Sequence, residues 1–185
     1  MTNIWQGKLV RLRAVEPEDW QAFFGWDQDT DFGRWTYWIP FPGSQEAAKK
    51  WTADLALADN KNHEFRWVIE TLDGEFAGTL NTHTCDPRVG TFQYGIAVRR
   101  EHWRNGYASE AIWIVLGYFF RELRYQKANA YVYAFNEPSL ELHRKLGFRE
   151  EGRLRRMVYT DGQHHDEVIF GLTVEEFEAL EPLKP

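Results

Sequence analysis

The chain has 185 residues, 43% apolar and 16% aromatic, with nine Trp and a net charge of −6. That size and apolar share build a core without disulfides or metal and exclude a disordered chain, while the negative charge argues against a protein that grips nucleic acid by its phosphates. Cys85 is the sole cysteine, which excludes an intrachain disulfide and a cysteine metal cluster and fits a reducing compartment. Met1 to Arg13 hold no apolar signal core, and the run Ala111 to Phe120 is too short to span a bilayer, so the expected location is the cytoplasm. Nine Trp are many for one core of this size, so some rings are expected to line a groove or a partner surface.

In chain order, Lys8 to Ala14 alternates and predicts a strand. Pro17, Glu18 and Asp19 open a helix through about Trp26. Asp27 to Gly43 is aromatic and acidic, with Pro40 and Pro42, and reads as a long irregular loop. Ser44 is a suitable N-cap for a helix from Gln45 to about Ala58, broken at Asn60 to Asn62. Three strands follow as an antiparallel meander: Glu64–Thr71, turned by Asp73-Gly74; Glu75–Cys85, turned by Asp86-Pro87-Arg88; and Gly90–Val98. Gly106 to Leu123 is a helix apolar on nearly all faces, hence one covered by protein on most sides. Ala128–Phe135 is a strand, and Pro138–Leu146 a short helix stopped by Gly147. Arg149–Thr160 turns at Asp161-Gly162 and returns as Glu167–Leu172. Thr173 and Glu176 form a capping box for a last helix. The order gives one α/β domain: a mixed, mainly antiparallel sheet of about seven strands flanked by helices.

Two segments carry chemistry. From Ile96 to Ala111 a strand ends, a basic turn holding Arg99, Arg100 and Arg104 follows, and a helix opens on small residues. First-turn amides of a helix lack internal acceptors and its dipole favours an anion in front of them, so this junction can cradle a pyrophosphate. It is neither a Walker loop nor a dinucleotide fingerprint, and a glycine at a strand–helix junction is also an ordinary turn residue. In the second segment, Asn136, Ser139 and His143 fall on one stripe of a helix. They form either a ligand-facing surface or, more plainly, a helix cap, a first-turn serine and an exposed histidine.

Taken together, the two segments resemble motifs A and B of the GNAT acetyltransferase superfamily. The first matches its Gln/Arg-x-x-Gly-x-Gly/Ala pattern, and the second its Asn-x-x-Ser segment ending Lys-x-Gly-Phe, here Lys145-Leu146-Gly147-Phe148. The run Trp103-Arg104-Asn105-Gly106-Tyr107-Ala108-Ser109-Glu110-Ala111, with Glu151-Gly152-Arg153 and Asp161-Gly162-Gln163 later on, is similar to the RimJ/RimL-type branch, which acetylates protein N-terminal amines. The chain departs from the pattern at three places: Trp103 stands where the superfamily has Gln or Arg, Gln93 where the branch often has Glu, and His143 where many members have an acidic Tyr.

The resemblance implies a GNAT fold with splayed fourth and fifth strands and direct acetyl transfer from acetyl-CoA to an amine, without metal, nucleic acid or membrane; a homodimer is compatible with it. Main-chain groups of Ile96, Ala97 and Val98 would pair with the pantetheine arm. The segment Trp103, Arg104, Asn105, Gly106, Tyr107, Ala108 and Ser109 would hold the pyrophosphate. Asn136 and Ser139 would lie beside the arm, and His143, with Ser139 next to it, would supply the acid that protonates the leaving sulfur. No base stands out; His83, Asp86 and Glu75 are candidates through water or plain surface groups. Trp35, Tyr37, Trp38 and Gln93 would meet the acceptor, with Asp27, Asp29 and Asp31 either receiving its positive charge or simply solvated. The acceptor is expected to be a protein N-terminal α-amine, the alternatives being a polyamine or aminoglycoside, or a domain that binds CoA without turnover.

Overall fold

The computed structural model describes residues 3–36, 39–59 and 61–180. Seven strands form one sheet in the order β1-β2-β3-β4-β5-β7-β6. They are β1 (Val10–Ala14), β2 (Arg66–Thr71), β3 (Phe76–Asp86), β4 (Thr91–Val98), β5 (Lys127–Tyr133), β6 (Arg149–Thr160) and β7 (Gln163–Thr173). The helices are α1 (Trp20–Asp27), α2 (Thr30–Thr36), α3 (Gln45–Ala56), α4 (Tyr107–Arg121), α5 (Glu137–Lys145) and α6 (Val174–Leu180). Every pairing is antiparallel except β4 with β5, which are joined by the crossover helix α4.

Strand alternation divides the core between the two faces of the sheet. On one face, Val10, Leu12, Trp67, Ile69, Phe92, Ala128, Ala130 and Phe170 pack against α4 residues such as Ile112, Leu116 and Phe119. From Tyr107 to Phe120 no α4 residue is exposed, as a helix apolar on nearly all faces predicts. On the other face Val68 packs with Val15 and Phe23, and Trp26, Leu55 and Phe76 close over them. The turn and cap signals act where they were read. Ser44 Oγ accepts the Ala47 amide at 3.1 Å, and Thr173 and Glu176 exchange bonds of 3.0 and 3.4 Å at the start of α6. Gly147, at φ +86, ends α5 in the left-handed conformation that other residues adopt only with strain.

One segment corrects the sequence reading. The stretch taken as irregular between Asp27 and Gly43 contains α2. Asp29 caps it, its Oδ1 accepting the Phe32 amide at 3.0 Å, and Phe32 is buried with its ring stacked on Trp26 at 4.9 Å. A local cap plus one buried ring therefore outweighs the low helix propensity of Gly33. Tyr37 and Trp38 lie outside the described residues.

A charged network pins β1 to β2 and to the start of α1. Arg13 bonds Glu70 at 2.7 Å and both oxygens of Asp19 at 2.8 Å, and Arg11 also pairs with Glu70. Burial of Glu70 pushes its carboxyl up, but hydrogen bonds and charge from Arg13 and Arg11 outweigh it and hold the group below its ordinary 4.5. A depressed folded value makes the contribution complete above about pH 4.5 and removes it as pH falls through the folded value. Glu70→Gln should therefore flatten the acid limb of stability: its Tm should fall less than that of wild type between pH 7 and pH 3.5. Parallel acid limbs would show that the network carries no linkage.

Candidate active site

The β4–β5 ladder ends early. It contains only Thr91↔Lys127, Phe92↔Ala128 and Gln93↔Asn129, although β4 runs on to Val98 and β5 to Tyr133. Past Gln93 the strands part, and a cavity of about 330 Å³ opens between them. Its lining includes consecutive residues from each strand, Gln93 to Ile96 and Ala130 to Tyr133. Consecutive strand residues point to opposite faces, so the cavity lies in the plane of the sheet and is reached from both sides. Tyr94, Ala130 and Val132 belong to the face covered by α4 and α5; Gln93, Tyr131, Tyr133 and Glu167 belong to the other.

The direction of the β4 main chain follows from its ends. The Gly90 carbonyl accepts from Lys127 at 3.2 Å, on the β5 side, while the Arg99 amide donates to Ala77 on the β3 side at 2.9 Å. Alternation then turns Ile96 and Val98 toward the gap, beyond the last β5 pair, and Ala97 toward β3. The Val98 carbonyl accepts from the Trp103 indole at 2.7 Å. Two consequences follow. Ile96 offers the gap an edge that a linear amide could pair with, and Trp103, which cannot bind phosphate as an ion, is a brace for the turn.

In front of α4, Gly106 is the N-cap at φ +82 with no side-chain cap. The first intrahelical bond runs from Glu110 N–H to the Gly106 carbonyl at 3.0 Å. The amides of Tyr107, Ala108 and Ser109 precede it and have no acceptor within the helix, an arrangement that suits an anion. The cations divide unequally. Arg99 pairs with Glu101 at 3.0 Å, and Arg100 with Asp29 at 3.2 Å and Asp31 at 3.7 Å. The guanidinium of Arg100 also sits over Trp35 and Trp103, which stack at 5.1 Å. Sequence reading offered Asp29 and Asp31 to a substrate cation and Arg100 to a phosphate; packing pairs them with each other. Among the described residues, Arg104 has no ion pair.

Trp35 bridges the mouth of the gap. Its ring stacks on Trp103 from the β4 side, and its carbonyl accepts from Asn136 Nδ2 at 3.1 Å on the β5 side. Asn136 also caps α5, accepting the Ser139 amide at 3.2 Å. Both ends of its side chain are therefore occupied, so its first role is to fix α2 and α5 beside the cavity.

His143, which the stripe argument left open between ligand face and surface, is 3% exposed and lines the cavity with Ser139 and Asn136. Its ring lies between Tyr94 at 5.9 Å and Phe170 at 5.6 Å, with Phe148 edge-on at 5.3 Å. Nδ1 lies 2.7 Å from the Ser139 carbonyl, which only accepts, so Nδ1 carries the proton and Nε2 is a bare lone pair. Burial pushes the imidazole down to about 4, against a smaller upward pull from that carbonyl.

On the open face, His83 sits across from Gln93 beside a bulge in β3. Burial, with Arg66 adding to it and Glu64 opposing, holds His83 below its ordinary value, so it is neutral at pH 7. Asp86 instead caps the β3–β4 turn through the amides of Arg88 and Val89 at 2.9 and 3.1 Å, and Glu75 is no part of the cavity lining. Glu167, which sequence reading passed over, lines the cavity opposite Tyr133, and burial raises its carboxyl. Tyr94 was also passed over. Both sit in ordinary strand alternation, and only the strand parting gives them a cavity to face.

A sheet parted between two parallel strands, with free main-chain edge in the gap and an uncapped helix N-terminus at its end, can take an extended ligand that bears an anionic group. The acetyltransferase (GNAT) domain family matches residues 10–149, and the chain belongs to that family. It is 40% identical over 174 residues, 94% of this chain and 95% of the other, to the SPbeta prophage-derived uncharacterized N-acetyltransferase YokL of Bacillus subtilis (strain 168). In fold it is similar to a GCN5-related N-acetyltransferase from Brucella melitensis (TM-score 0.80, 22% identity, 96% of this chain and 81% of that one). It is likewise similar to the spermidine N-acetyltransferase from Vibrio cholerae solved with CoA and spermine (TM-score 0.79, 21% identity, 93% and 99%). The chain is thus an acyltransferase, an acetyl-CoA-dependent N-acetyltransferase.

Proposed function

We propose that the chain acetylates the α-amine of a protein or peptide N-terminus, by direct attack on acetyl-CoA in a ternary complex. The observation that carries this reading is the chemistry of the open face of the gap: one partly buried carboxylate, Glu167, and one neutral imidazole, His83, among the rings of Tyr131 and Tyr133. A polyamine would call for several unpaired acids along its length. Here Asp29 and Asp31 hold Arg100, Asp161 holds Arg34 at 3.3 Å, and Asp166 holds Arg153 at 3.5 Å. An α-amine, with a pKa of roughly 8, is already about a tenth neutral at pH 7, whereas a lysine-type amine of about 10.4 is neutral only about once in two thousand. A weak base such as His83 is adequate for the first and poor for the second.

On this reading the pantetheine arm lies along Ile96 and Val98, with Ser139 and His143 beside the thioester. The diphosphate sits before the amides of Tyr107, Ala108 and Ser109, with Asn105 and Arg104 at its edge. Trp35 and Gln93 border the acceptor. The chain is then a RimJ/RimL-type enzyme of the cytoplasm. The test is thiol release from acetyl-CoA with a panel of peptides bearing free N-termini, the same peptides N-blocked but containing lysine, spermidine, and an aminoglycoside. The free α-amines should exceed spermidine at least tenfold in kcat/KM. Preference for spermidine or the aminoglycoside would reverse the assignment, and CoA binding without thiol release for any amine would identify a sensor.

A further inference from the structure

Among the described residues, four buried side-chain polar atoms lack a hydrogen-bond partner: Trp26 Nε1, Arg34 Nε, Tyr94 Oη and His143 Nε2. Two of the four belong to residues that line one cavity, the gap between β4 and β5. An unpaired buried polar atom costs about 1–3 kcal/mol, so such a pair at a substrate site points to partners that the substrate brings. The two atoms are chemically complementary. Tyr94 Oη carries a proton and needs an acceptor. His143 Nε2 carries a lone pair and needs a donor, because its ring proton is committed to the Ser139 carbonyl.

This bears directly on the leaving group. When the amine nitrogen bonds to the thioester carbon and the carbon–sulfur bond breaks, sulfur departs with the electron pair. The proton that finally neutralises it is the one the nitrogen loses in becoming an amide, so the reaction balances without a further reagent. What the enzyme must add is a donor that meets the charge as it forms. His143 is ill suited to this. In its neutral tautomer Nε2 has no proton, and with its imidazole near 4 only about one molecule in a thousand is charged at pH 7. None of the groups packed on it, Tyr94 from β4, Phe148, and Phe170 from β7, carries a negative charge that would hold an imidazolium.

We infer that the Tyr94 hydroxyl is the hydrogen-bond donor to the departing sulfur, and that His143 is an acceptor beside it. This rests on the acetyl-transfer reading and names a residue on β4, across the gap from the helix that carries His143. Burial keeps the Tyr94 phenol protonated well above the usual range, so the donor persists throughout the working pH. Preorganised donors of this kind are worth about 10²–10³ in kcat.

The experiment is Tyr94→Phe, which deletes only the hydroxyl. Since that hydroxyl has no protein partner to lose, Tm should hold or rise. The expected result is a fall in kcat of about a hundredfold or more, with KM for acetyl-CoA within about threefold of wild type and a Tm no lower than that of wild type. A second readout is the alkaline limb of wild-type kcat, above about pH 8.5, where an α-amine is already neutral. The other titratable groups lining the gap are His83, Glu167, Tyr131 and Tyr133, so the limb is read between about pH 8.5 and 9.5, above the ordinary carboxylate and imidazole ranges and below the phenol range. A Tyr94 donor leaves a plateau, whereas a charged His143 donor gives a tenfold fall per pH unit. A Tyr94→Phe enzyme within threefold of wild-type kcat, or the tenfold alkaline fall, overturns the inference while leaving acetyl transfer intact. A wild-type protein that releases no thiol with any amine overturns both.

Discussion

Glu110→Ala should cost about 3–5 kcal/mol of folding stability. Glu110 stands in the first turn of α4, where an anion site would suffer from a nearby carboxylate. Its side chain turns away instead and is 7% exposed. The two oxygens accept the amides of Lys8, Leu9 and Val10 at 2.8, 2.7 and 2.8 Å, which ties the edge strand β1 to the central helix. Gly7 makes room for this, since a Cβ there would lie 2.3 Å from the Glu110 carboxyl carbon. Alanine removes the acceptor and leaves these donors facing a void. For a chain of this size each kcal/mol lowers Tm by about 2–4 °C, so the drop should be about 6–20 °C in a thermal melt. Glu110→Gln keeps one acceptor oxygen and should fall between. A Tm within about 2 °C of wild type for the alanine variant would mean that β1 is held by its sheet pairing and core contacts alone.

Glu110 and His143 mark the limit of what the sequence alone makes legible. Local signals were sufficient for the frame: Asp73-Gly74 and Asp161-Gly162 turn the hairpins, Ser44 and Thr173 start helices, and the unbroken apolar run of α4 announces a covered helix. Each depends on residues within a few positions of one another. α2 was missed because its two determinants, the Asp29 cap and the Phe32–Trp26 stack, lie amid aromatic and glycine residues whose propensities argue for a loop. The stripe Asn136, Ser139 and His143 was legible as a face, and all three residues do line the gap. What they do there was not legible. The protonation of His143 depends on rings supplied by β4 and β7, and the partners of Arg100 come from α2 and its cap, some seventy positions earlier in the chain. Tyr94 and Glu167 look like any strand residues until β4 and β5 separate, and that separation is a property of the whole sheet.

Asn105→Asp should weaken CoA binding about 10- to 30-fold at low salt without destabilising the protein. Asn105 is exposed just ahead of the N-cap Gly106, and aspartate has nearly its shape, so the substitution adds little more than one negative charge. An acid at a helix N-terminus is favourable by about 0.3–1 kcal/mol, so the fold should be unchanged or slightly firmer. A phosphate in front of the Tyr107–Ser109 amides would be repelled by that charge, and two unit charges on the order of 6 Å apart give the scale. The repulsion is about 0.7–2.8 kcal/mol as the effective dielectric runs from 80 to 20, and the upper part of that range applies where helix and turn displace water. Stability and affinity then move in opposite directions, which separates the effect from misfolding. Two controls fix its cause. The loss should shrink severalfold at 0.5 M salt, where screening shortens the reach of the charge to a few ångströms, and pantetheine, which has no phosphate, should bind wild type and variant alike. CoA affinity within twofold of wild type would place the diphosphate elsewhere and leave the uncapped end of α4 an ordinary turn.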